Sequence, residues 1–120
     1  MIWPHNVIRF ALAVKVAEGS NPDWNNRGDL TGSDAGAFPT CGIANAEGVL
    51  KFVYREDGWN ALCLKLDRML RGKSHMYPPT MTLEQVGMKY SGGDPNWAKN
   101  VAAELHVSET ITIAEIAKLE

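Results

Sequence analysis

Apolar positions fall into helical spacing over two long stretches and three shorter ones, and a loop-rich interval separates the long pair. The stretch from Phe10 to Ala17 is apolar on most faces and predicts a buried helix over about Val7 to Glu18, with Asn6 as N-cap. Residues 19–46 are dense in Gly, Asn, Asp, Ser and Pro, which means loops and tight turns. A long irregular stretch in a small domain points to a functional surface. Val49 to Tyr54 is β-prone and predicts a short strand. Asp57 then reads as an N-cap, and Gly58 to about Arg71 as an amphipathic helix ended by Gly72. Its apolar face is Trp59, Leu62, Cys63, Leu66, Met69 and Leu70.

Beyond Pro78 and Pro79, Thr82 and Gln85 form a capping box that opens a helix to about Tyr90. Ser91, Gly92 and Gly93 break the chain. Asp94 followed by Pro95 opens a further helix to about Leu105. Thr112 with Glu115 is a second capping box, for a last short helix. No internal repeat is visible. The expectation is one domain, residues 1–120, of α+β class and predominantly α, with a small β element near residues 30–54.

Composition narrows the classes. A hydrophobic content of 45% with 22% charged residues fits a globular chain that buries a core. The net charge of −2, with Lys and Arg scattered, does not suggest a nucleic-acid face. Residues 82–105 can be read as a helix-turn-helix that offers Asn96, Lys99 and Asn100 to a groove, and the charge balance opposes that reading. No apolar run reaches the roughly 18 residues of a membrane span. Arg9 and Lys15 interrupt the one stretch of signal-peptide length, so no signal peptide is expected. His5, His75 and His106 are far apart, and Cys41 and Cys63 lack zinc spacing, so neither a metal nor another cofactor is expected. Cys63 reads as a small core residue; whether it pairs with Cys41 stays open.

The remaining chemistry lies in carboxylates. Glu18 stands at the end of an apolar helix, just before Gly19 and an Asn/Asp-rich loop. The helix C-terminus and apolar neighbours both disfavour its ionised form. Such a Glu can stay protonated and act as a general acid; the alternative is a solvated last-turn residue with Gly19 as an ordinary C-cap. Asp23, Asp29 and Asp34 follow in the loop, and Glu56 and Asp57 precede the next long helix. Two carboxylates flanking a cleft are the usual requirement for glycosidic cleavage. Turn chemistry is the favoured account of Asp23 and Asp34, and capping that of Asp57, ahead of catalysis. The rings of Trp24 and Tyr54 flank the same region, where sugars could stack on them.

The order Glu18-Gly19, then Asn25-Asn26-Arg27-Gly28-Asp29-Leu30, then Phe52 shortly before Asp57-Gly58-Trp59, resembles the lysozyme-like proteins of phages and prophages. So do Thr82-Leu83 to Lys89-Tyr90, and Gly93-Asp94-Pro95-Asn96-Trp97 through His106. The resemblance spans about residues 10–116. Arg27 replaces a loop Pro, Asp29 an Asn, Trp97 a usual Tyr and His106 a usual Gly. It implies a lysozyme-like fold with a small β-hairpin lobe, and cleavage of the glycan strands of peptidoglycan. Glu18 would be the general acid, and Asp29 would stabilise developing charge or orient a water. Trp24, Asn26, Gly28, Tyr54 and Tyr90 would meet the substrate or shape the loop that does. Hydrolysis and lytic transglycosylation are both open. The resemblance further implies a phage- or prophage-derived monomer of endolysin type acting on the bacterial wall, with neither nucleic acid nor membrane as partner. The alternative is a non-catalytic wall-binding or virion structural domain on the same fold.

Overall fold

A computed structural model describes residues 2–19, 22–35, 38–43, 45 and 47–119, without the side chains of Ser33, Ala35 and Cys41. The first helix, α1, spans His5–Glu18. It buries Val7, Phe10, Ala11, Ala13 and Val14, the i, i+3, i+4, i+7 stripe of a one-sided helix. The expectation of burial on most faces fails, because Leu12 and Val16 on the outer side are 48% and 56% exposed. Two short 3-10 turns follow, Pro22–Trp24 and Gly32–Ala35. Strands β1 (Thr40–Ile43) and β2 (Leu50–Phe52) pair antiparallel, with a register slip between Thr40 and Gly42. Helices α2 (Arg55–Leu70), α3 (Leu83–Tyr90), α4 (Pro95–Leu105) and α5 (Ile113–Ile116) complete the chain. The protein is therefore a mostly helical α+β domain with a small two-stranded antiparallel sheet.

Helix α1 packs against α4 and α2, α3 against α4, and α5 against α2. Phe10, Phe52, Leu62, Leu66, Met69 and Trp97 are buried where these elements meet. Both capping boxes form as the sequence predicts: Thr82 accepts from the Gln85 N–H and Thr112 from the Glu115 N–H, and each partner side chain bonds back. The two boxes also face each other. Leu83 N–H donates to the Ile111 carbonyl at 2.7 Å and Ile113 N–H to the Met81 carbonyl at 2.9 Å, around a Thr82–Thr112 bridge. This reciprocal clasp relates two short segments of like pattern, Met81-Thr82-Leu83 and Ile111-Thr112-Ile113, and it escapes a search for long repeats.

Three boundaries differ from expectation. Helix α1 starts at His5 behind Pro4, so Asn6 lies inside the first turn rather than capping it. Its amide instead donates to the Ala117 carbonyl at 2.9 Å and ties the first helix to the last. Helix α2 starts at Arg55 behind Tyr54, which leaves Asp57 in the first turn, where the helix dipole favours a carboxylate. Strand β2 stops at Phe52 because the chain is already turning into α2. Cys63 is a free, fully buried thiol that burial pushes up to about 12. The pairing question for Cys41 falls on a side chain outside the described residues. Among the described residues, no helix is long and apolar enough to cross a membrane.

Candidate functional site

Glu18 is the last residue of α1, and Gly19, at φ 52°, closes the helix with its N–H on the Lys15 carbonyl. The chain then enters the loop that carries Asp29. Asn25 and Asp29 hold left-handed backbone, at φ 54° and 50°. Asn and Asp occupy that region more readily than other residues with side chains, so Asp29 suits the position as an Asn would. Asn26 is fully buried between them. Its amide donates to the Leu30 carbonyl at 2.9 Å and the Leu50 carbonyl at 2.8 Å, and its oxygen accepts from Leu30 N–H. It acts as a splint that fixes the loop to β2. On the other side Gly58 of α2 admits the loop, since a Cβ there would run into the Asn25 carbonyl.

These supports bring Asp29 to Glu18. The Glu18 carboxyl is raised from 4.5 to about 8, first by burial and then by a hydrogen bond with Asp29 and the charge of that neighbour. A hydrogen bond between two carboxyl groups needs a proton on one of them, and burial puts it on Glu18. Trp97 Nε1 donates to Glu18 Oε1 at 2.7 Å and, with the charge of Lys65, opposes the rise.

An aromatic column backs the pair. Tyr90 stacks on Trp97 with centroids 5.0 Å apart, and Tyr77 tilts against Tyr90 at 6.4 Å. Lys65 Nζ lies 4.4 Å from the Tyr90 ring centre and forms an ion pair with Asp34 at 3.1 Å. The Tyr90 hydroxyl donates to the Gly28 carbonyl at 2.6 Å. Burial, then the charge of Glu18, raises the Tyr90 phenol well above its ordinary value, so it remains a neutral donor. Burial likewise pushes Tyr77 up to about 12, with Asp34 and Glu18 adding to it.

A cleft of about 770 Å³ opens from Asp29 and Tyr90, runs along α2 past Lys65 and Arg68, and is closed by the segment from Lys73 to Tyr77. Glu18 adjoins it through Asp29 rather than lining it.

The structure thus brings together Glu18, the adjacent Gly28 and Asp29, and Tyr90 from three separate stretches of sequence. Asn26 and Gly28 serve the loop from within: Asn26 is enclosed, and a Cβ on Gly28 would sit 2.6 Å from Leu62 Cδ1 and 3.1 Å from the Tyr90 hydroxyl. Tyr90 contacts the loop backbone, not Glu18. Trp24 and Tyr54 do not line the cleft. Trp24 is half-buried at the end of its 3-10 turn, and Tyr54 is 63% exposed where the chain enters α2. Sequence reasoning missed Trp97, Lys65 and Tyr77 as members of the site. Asp34, weighed as a turn residue, is the partner of Lys65. Among the described residues, no three His, Cys, Asp or Glu side chains converge as metal ligands would.

No family model, curated protein or solved structure matches this chain.

Proposed function

We propose that the protein cleaves the glycan strands of peptidoglycan on a lysozyme-like fold, with Glu18 as the general acid. The observation that carries this reading is the Glu18 carboxyl, half-buried at the end of α1 with the Trp97 indole on Oε1 and its pKa raised to about 8, adjoining the cleft through Asp29. A glycosidic oxygen entering from the cleft replaces Asp29 as acceptor of the Glu18 proton. As the bond to the anomeric carbon breaks, the proton passes to the leaving oxygen and Glu18 becomes a carboxylate. Asp29, released from Glu18, is then free to face the positive charge developing on the sugar.

The contact between Glu18 and Asp29 bears on the second step. Asp29, which raises the Glu18 pKa, is poised to hold the proton on Glu18. Lytic transglycosylation, in which the substrate's own hydroxyl is the nucleophile, needs no second carboxylate and suits that role. The same pairing supports a second reading, a wall-binding or virion structural domain in which the pair stays shut.

The test is clearing of purified peptidoglycan by wild type and by Glu18→Gln, with soluble products identified by mass spectrometry. Clearing by wild type alone, with anhydro ends on the products, is expected. Reducing ends would replace transglycosylation with hydrolysis. Absence of clearing by folded wild type would sink the enzyme reading and leave the binding one.

A further inference from the structure

The cleft carries a charge opposite to that of the chain. Lys65, Arg68, Lys73 and Lys89 line it against Asp29 and Asp34, a formal excess of two positive charges in a protein whose net charge is −2. The cations divide into two kinds. Lys65 is taken by Asp34, and Lys89 Nζ donates to the Met76 carbonyl at 2.7 Å. Arg68 and Lys73 are exposed and make no ion pair among the described residues.

Their placement follows from how α2 ends. Gly72 takes left-handed backbone at φ 71°. Gly72 N–H then donates to the Met69 carbonyl at 3.1 Å and Lys73 N–H to the Arg68 carbonyl at 2.9 Å. This paired closure folds the chain back on its own last turn and sets Lys73 beside Arg68 on the cleft wall. The helix C-terminus offsets roughly half a positive charge. Two cations exceed that, so the wall remains electropositive.

We infer that Arg68 and Lys73 form an anion subsite that takes the carboxylates of the peptide stems borne by a peptidoglycan glycan strand. The inference rests on the glycan-cleavage reading for the identity of the strand, and on the cleft wall for the charge. The planar fork of Arg68 suits a carboxylate, while Lys73 adds a mobile point charge. A neutral polysaccharide would leave both without a partner. The subsite thus makes the cleft select a carboxylate-bearing strand over a neutral polysaccharide, at a wall distant in sequence from Glu18.

The experiment measures binding in the Glu18→Gln background, so that strands stay whole whether or not the protein cleaves them. Purified strands, stripped of wall polymers with hydrofluoric acid, are offered intact or with their stem carboxylates converted to neutral methylamides by carbodiimide coupling. Intact strands should bind about tenfold tighter at low salt, and the difference should shrink as salt screens the charges. Arg68→Gln combined with Lys73→Gln should abolish that preference and leave binding of the neutralised strands unchanged. Equal binding of both strand forms would overturn the subsite while leaving the cleavage reading intact. Selective binding without clearing by wild type would overturn cleavage and support the subsite. Binding of neither form would overturn both.

Discussion

Glu18 is governed by two neighbours that act in opposite senses, and substitution can separate them. Asp29 raises its pKa through a hydrogen bond and a charge, while the Trp97 indole lowers it. Asp29→Asn keeps a residue tolerant of the left-handed backbone and removes the charge, so the Glu18 pKa should fall below about 8. Trp97→Phe keeps a ring against Tyr90 and removes the donor, so it should rise. Carbon-13 NMR titration of labelled Glu18 reads both. Shifts in the same direction would refute the arrangement. Tyr90 acts at one remove: Tyr90→Phe leaves the buried Gly28 carbonyl without its donor, at a cost of about 1–3 kcal/mol in unfolding free energy by urea titration. An unchanged midpoint would mean the bond contributes nothing. The Trp97–Glu18 contact joins residues 79 apart in the chain, so no local pattern could disclose it.

At the scale of elements, what the sequence disclosed depended on how far each signal reaches. The capping boxes at Thr82 and Thr112 and the Asp94-Pro95 start appear where expected, because all their partners lie within three residues. Asn6 and Asp57 were misplaced as caps because a side chain able to cap is equally at home in a first turn, and tertiary contacts chose the start. The buried helix expected from Phe10–Ala17 became half-exposed for a related reason: apolar composition does not say how many neighbours are present to cover it. Gly58 carried a signal without a local meaning, since its reason is a loop more than thirty residues away. Gly58→Ala should displace the Asn25 carbonyl and loosen the Asp29 loop, destabilising the fold by about 1–3 kcal/mol. Hydrogen exchange should locate the loss of protection at residues 25–30. Uniform loss across α1 and α4 instead would show that the loop is not what Gly58 protects.

The whole molecule inherits a pH dependence from Glu18, the one strongly shifted carboxyl among the described residues. In the unfolded chain Glu18 titrates near 4.5 and in the folded one near 8, so the folded state holds the proton more firmly. Between those values the native protein binds more protons, and stability falls as pH rises, levelling off above about 8. Partial solvent screening limits the loss to about 1–2 kcal/mol. Glu18→Gln should flatten that slope in thermal melts between pH 5 and 9; a parallel slope in both proteins would assign the effect elsewhere. Under the proposed activity, cleavage should decline across the upper end of the same interval, as the acid loses its proton.

Trp97 has one more consequence. Its indole N–H rests on the oxygen of the very group whose proton matters, and an excited indole responds to whether such a neighbour is charged. The protein thus contains its own fluorophore for the site. Emission from Trp97, isolated by replacing Trp3, Trp24 and Trp59 with Phe, would follow the arrival of that proton, and its transfer, without any added label.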